Sequence, residues 1–88
     1  MLNRLTVLNT LIKHETLNIN DLCKAENLGF VPDENQLQQI LDELLEGKHI
    51  TELASVMPTT YTITDKGITE GTRLKELESG TNQTIHSL

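Results

Sequence analysis

Leu2, Leu5, Leu8, Leu11 and Ile12 return at three- and four-residue steps, the spacing that lines one side of an α-helix. Asn3, Thr6, Thr10, Lys13 and His14 fall on the opposite half, which predicts a helix from about Asn3 to His14. Thr16–Ile19 alternates over a short span and predicts a brief extended segment. Asn20 offers a short side chain that can accept from the free amides of a following turn, as an N-cap does. A two-turn helix is expected from there to about Asn27, burying Leu22, Leu28 and either Ala25 or Cys23. Gly29 suits the left-handed position that ends it.

Phe30-Val31-Pro32 is a connection, because the residue before a proline avoids the helical region. Phe30 and Val31 are expected to form a lid over the helical core. Asp33 with Gln36 forms a D-x-x-Q capping box, a specific helix start. Leu37, Ile40, Leu41, Leu44 and Leu45 then make a strong apolar stripe that Gly47 closes. From His49 the period changes. Ile50–Ala54 and Thr59–Thr64 are rich in β-branched residues and bracket Ser55–Pro58, which predicts an antiparallel hairpin. Thr64 can cap a last helix from Asp65 to about Glu78. Its apolar positions, Ile68, Leu74 and Leu77, drift around the wheel, and Gly67 and Gly71 weaken it further. Residues 79–88 have almost no periodicity and are expected to form a flexible C-terminal tail, leaving one domain over 1–78.

With 88 residues there is room for a single core. One cysteine cannot build a disulfide framework, and no apolar run is long enough to span a membrane. Met1–Asn20 lacks an apolar signal-peptide core, so a cytoplasmic location is expected. Charge changes the picture more. The chain carries −6, and six of its acids (Asp33, Glu34, Asp42, Glu43, Glu46, Glu52) fall within one stretch whose sole base is Lys48. A polyanionic partner is disfavoured at that segment and a basic one favoured.

Catalytic and metal chemistry find little support in the sequence. Cys23 has no partner motif and reads as a small buried hydrophobe. His14, His49 and His86 are too widely spaced for a recognisable metal site. Glu46-Gly47-Lys48 lacks the earlier glycine of a phosphate-binding loop, since position 42 is Asp. The expectation is a non-enzyme that uses no cofactor and no metal.

The order helix, short strand, helix, helix, hairpin, helix predicts an α+β, mainly helical chain. It resembles the winged helix-turn-helix domain, with a three-helix core, a β-hairpin wing and a C-terminal helix. The most specific likeness is Tyr61-Thr62-Ile63-Thr64-Asp65-Lys66-Gly67, which is similar to the aromatic–x–aliphatic–Thr–x–Lys–Gly signature ending the wing in MarR- and PadR-like bacterial transcription regulators. Gly47-Lys48-His49-Ile50 matches those families in style. In this pattern Tyr61 and Ile63 pack on the core, Thr64 caps the last helix and Gly67 lets its first turn lie close to neighbouring backbone.

The resemblance implies that the helix after Asp33 enters a DNA major groove. If Leu37, Ile40, Leu41 and Leu44 are buried, that helix presents Asn35, Gln38, Gln39, Asp42, Glu43 and Glu46. Asn and Gln suit adenine, but half the face is acidic and none of it is basic, whereas DNA affinity depends on neutralising phosphates. The wing, Ala54–Thr60, also lacks a cation and carries apolar Val56 and Met57 at its tip, where exposed apolar groups mark contact sites. The first reading is therefore a protein-contact or self-association surface made of Gln38, Gln39, Asp42, Glu43, Glu46, Val56 and Met57. The alternative is a dimeric regulator that binds double-stranded DNA through Asn35, Gln38, Gln39, Lys48 and Lys66. A third reading is an acidic mimic of DNA.

Overall fold

The computed structural model describes residues 2–78. They form α1 (Arg4–His14), β1 (Thr16–Asn18), α2 (Ile19–Leu22), α3 (Ala25–Leu28), α4 (Glu34–Glu46), β2 (Ile50–Glu52), β3 (Thr60–Ile63) and α5 (Asp65–Glu78). The tail expected over 79–88 lies outside the described residues. The architecture is α+β, mainly helical, with one small antiparallel sheet.

α1 begins at its cap: the Asn3 side-chain oxygen accepts from the Thr6 amide at 2.9 Å. Its buried arc is wider than the apolar stripe predicts. Val7, Leu8, Thr10 and Leu11 are buried while Leu5 is only half-buried, because α3, α4, α5 and β3 all pack against this helix. Thr10, expected on the solvent side, lies inside instead, and its hydroxyl donates to the Thr6 carbonyl at 2.8 Å. That bond removes the cost of burying the hydroxyl.

The next segment corrects the sequence reading. Asn18, not Asn20, is the cap: its side chain accepts from the Asp21 amide at 2.8 Å, and Asp21 accepts in return from the Asn18 amide at 3.4 Å. Only Asp21 can return the bond, and it stands three residues after Asn18. The helix also breaks. Lys24 is extended (φ −83°, ψ 132°), separating α2 from α3. The Asp21 carbonyl accepts both the Lys24 amide and the Asn27 side-chain amide, at 3.2 and 2.7 Å, which closes the turn between them. Leu22 and Leu28 are buried as expected, Cys23 is half-buried and Ala25 is exposed. Gly29, at φ 91°, ends α3 in the left-handed region. Phe30 covers the core, but Val31 points away from it and is 76 % exposed, so only half of the predicted lid exists.

The extended segment after α1 becomes the third strand of the sheet, whose order is β1-β3-β2. Leu17 faces Tyr61 across one ladder, and Glu52 faces Tyr61 across the other. The β1 edge is fastened by hydroxyls: Thr16 donates to Thr62 at 2.9 Å, and Thr62 donates to the Glu15 carbonyl at 3.2 Å. Leu17, Ile50 and Tyr61 bring the sheet onto the core formed by Val7, Leu8, Leu11, Leu22, Leu37, Leu41 and Leu44.

α5 packs closely at two glycines, Gly71 against α1 and Gly67 against the segment that leads into β2. A Cβ on Gly71 would lie 2.6 Å from Ile12 Cδ1, and one on Gly67 would clash with the His49 carbonyl oxygen. Gly67, Gly71 and Leu74 follow a helical spacing, so the docking stripe consists largely of missing side chains. This explains the drifting apolar pattern: Ile68 and Leu77 lie off the stripe and are exposed. Thr64 caps α5 by accepting from the Gly67 amide at 3.0 Å, and its hydroxyl lies 2.8 Å from both the Lys48 and the His49 carbonyls.

Two measurable consequences follow from local geometry. Lys48 sits at φ 63°, a conformation that strains any side chain with a Cβ. Lys48→Gly is expected to stabilise the fold by about 0.5 kcal/mol after the extra freedom of the unfolded glycine is counted. The same change at Lys13, inside α1, should destabilise by about 1 kcal/mol. Urea unfolding of both variants checks the opposite signs.

The second concerns Glu70, whose carboxylate accepts from Arg73 Nε and Nη2 at 2.9 and 2.8 Å and lies 3.6 Å from Arg4 Nη2 on α1. The Arg73 hydrogen bonds, more than the two arginine charges, hold its carboxyl below the ordinary value of 4.5. A depressed folded value means that this stabilisation is complete above pH 4.5 and disappears as pH falls through the folded value. Solvent screening keeps it below about 1 kcal/mol. Glu70→Gln should therefore lose less stability than the parent chain between about pH 7 and about pH 3, as read from urea midpoints.

Candidate binding surface on α4 and the hairpin

α4 owes its orientation to one buried stripe. Asp33 caps it by accepting from the Gln36 amide at 3.0 Å, and Leu37, Ile40, Leu41 and Leu44 are buried against the core. Leu45, the remaining residue of the predicted stripe, is half-buried. The other side of the helix then has no choice but to face water. Asn35, Gln38, Gln39, Asp42, Glu43 and Glu46 are all exposed and line one shallow, open depression along the helix. Three of these six are acids and none is a base.

Gln38 is not free within this face. Its amide donates to Asp42 Oδ1 at 3.0 Å, one helical turn on, and it also lies near the Tyr61 phenol. Tyr61 comes from β3 and is almost wholly buried, so it joins the helix to the hairpin beneath the surface. Burial pushes its phenol above the ordinary value of 10.0, the Gln38 side chain opposes that shift, and the charges of Glu52 and Asp42 add to it. Glu52 therefore belongs to the same acidic field as Asp42, although it lies on β2. Sequence reasoning leaves it out of the site. The signal that finds it is the strand register, which sets Glu52 opposite Tyr61.

Beyond Glu52 the hairpin continues through Leu53, whose amide donates to the Thr60 carbonyl at 2.9 Å, and then turns. The turn is apolar and solvated. Met57 is 87 % exposed and Val56 42 %, and Leu53 adds a third partly exposed apolar side chain that the sequence reading does not include. The acidic half lies on α4 and the apolar half at the hairpin tip, and β2, which leads into that tip, packs against α4.

The residues of the DNA alternative are distributed differently. Thr64 bonds the Lys48 carbonyl, which draws the segments carrying Lys48 and Lys66 to one junction beyond the C-terminal end of α4. Both lysines are exposed. Asn35 lies at the other end of the helix, about 16 Å away at 1.5 Å per residue. Asp42, Glu43 and Glu46 occupy the interval. The base-reading amides and the cations are therefore separated by the carboxylates.

The Cys23 thiol is pushed up, first by burial and then by the Glu34 charge, so it stays protonated and weakly nucleophilic. His14 is exposed at the end of α1, His49 is half-buried with its ring against Gly47, and His86 lies outside the described residues. Among the described residues no three His, Cys, Asp or Glu side chains are grouped to hold a metal ion, and no helix is long and apolar enough to cross a membrane. Comparison with protein-family models, with curated proteins and with solved structures finds no match for this chain.

Proposed function

We propose that the chain is a non-catalytic winged-helix binding module that engages a basic, partly apolar protein partner. In this reading α1, α2–α3 and α4 are the three-helix core, β2 and β3 form the wing, and α5 is the C-terminal helix. The strand order β1-β3-β2 and the tight approach of Gly67 to the His49 carbonyl support it. The observation that carries the functional conclusion is the exposed side of α4, where Asp42, Glu43 and Glu46 stand with no cation among them, taken together with the exposed apolar tip of the hairpin. Such a surface repels phosphates and attracts ammonium and guanidinium groups, while Val56 and Met57 supply area for apolar burial.

The DNA-binding alternative draws on one specific observation, the convergence of Lys48 and Lys66 beside the end of α4. Two cations give little phosphate neutralisation, and the intervening acids work against it. One titration separates the two readings. Isotope-labelled protein is mixed with a lysine–leucine amphipathic helix in one series and with a mixed-sequence DNA duplex in the other. Amide shifts at α4 and the hairpin with the peptide alone support protein contact. Salt-sensitive shifts there with the duplex alone refute it in favour of the regulator.

A further inference from the structure

We infer that Met57 is an oxidation-controlled switch on this surface, an inference that rests on the protein-contact reading above. The chain has two methionines and one cysteine, and among the described residues its sulfur atoms are those of Met57 and Cys23. Their surroundings are opposite. Met57 stands at the hairpin tip, 87 % exposed, with its thioether open to any small oxidant. Cys23 is half-buried, and burial together with Glu34 keeps it in the thiol form, which is the slow partner of peroxides.

The step balances with a peroxide as co-reactant. The thioether sulfur attacks one peroxide oxygen, an S–O bond forms as the O–O bond breaks, and the second oxygen leaves as water. Sulfur loses two electrons and the peroxide gains them. The product, a methionine sulfoxide, is a polar acceptor where a flexible apolar side chain stood. At a core position this would threaten the fold. At the hairpin tip it changes only what a partner meets: the largest exposed apolar group of the surface becomes hydrophilic, while the carboxylates of α4 are untouched. Thiol-driven sulfoxide reduction reverses the change, so the apolar half can be switched separately from the acidic half.

The full chain is treated with hydrogen peroxide and mapped by peptide mass, and its affinity for the lysine–leucine helix is compared before oxidation, after it, and after methionine sulfoxide reductase with dithiothreitol. Met57 is expected to gain one oxygen before Cys23 is modified, with an unchanged circular dichroism spectrum. Peptide affinity should fall about fivefold and recover on reduction. Met57→Leu, which keeps an apolar side chain but has no thioether, should show the same affinity before and after peroxide, whatever its untreated value and even if Met1 is also oxidised. Oxidised Met57 with unaltered affinity overturns the switch and leaves the contact reading standing. Loss of affinity that persists in peroxide-treated Met57→Leu also overturns it. Failure of the untreated chain to bind the peptide overturns both readings.

Discussion

Gly67→Ala should destabilise the fold by about 3 kcal/mol, more than any other glycine-to-alanine change among the described residues. The added methyl would clash with the His49 carbonyl oxygen, which is backbone and is itself held by the Thr64 amide at 3.2 Å. Neither side can yield without parting β2 from α5. For a domain of this size 3 kcal/mol is a large share of a total near 5–10 kcal/mol, and it should lower the thermal midpoint by about 15 °C. Gly71→Ala is crowded only by the end of the Ile12 side chain, which can rotate, its approaches to Leu8 and Asn9 being ordinary contacts, and the gain in helix propensity offsets the crowding. Gly29→Ala meets nothing, but its φ of 91° should cost about 1 kcal/mol. Thermal unfolding of the three variants should rank the losses 67, 29, 71. A Gly67→Ala midpoint near that of the parent would mean that α5 does not sit where it is described.

The second large effect is functional. Replacing Glu43 and Glu46 together with arginine reverses two of the three acidic charges on the outer side of α4. Both side chains are exposed and neither makes a hydrogen bond or ion pair with another described residue, so stability should change by less than about 0.5 kcal/mol per site. Binding should change much more. Affinity for the lysine–leucine helix is expected to fall at least tenfold, about 1.4 kcal/mol, because attraction at two positions becomes repulsion. The duplex should gain affinity, with a steeper loss as salt rises. Isothermal titration of both ligands, at low and moderate salt, reads the two changes together. Unchanged peptide affinity would remove α4 from the contact surface.

Much of this was legible along the chain because it depends on neighbours a few residues apart. The α4 stripe, the Asp33 cap and the Thr64 cap are local patterns, and the exposed half of α4 follows once Leu37, Ile40, Leu41 and Leu44 turn inward. The start of α2 was less legible: Asn18 and Asn20 are equally good caps by type, and only the return bond from Asp21 decides between them. Reading an apolar stripe also fails for α5, which makes close contact by lacking side chains, at Gly71 against α1 and at Gly67 against the His49 carbonyl. The pairing of β1 with β3 and the proximity of Glu52 to Tyr61 join distant parts of the chain. Those depend on register, which no short window contains.

Tyr61 is the chain's single tyrosine, and there is no tryptophan. The molecule therefore carries its own reporter, one chromophore set between the hairpin and α4, whose proton is retained partly by the charges of Glu52 and Asp42. Under the proposed protein contact, a cationic guest settling on those carboxylates should weaken that hold, and the alkaline absorbance of a single ring is expected to report occupancy of the surface with no label attached.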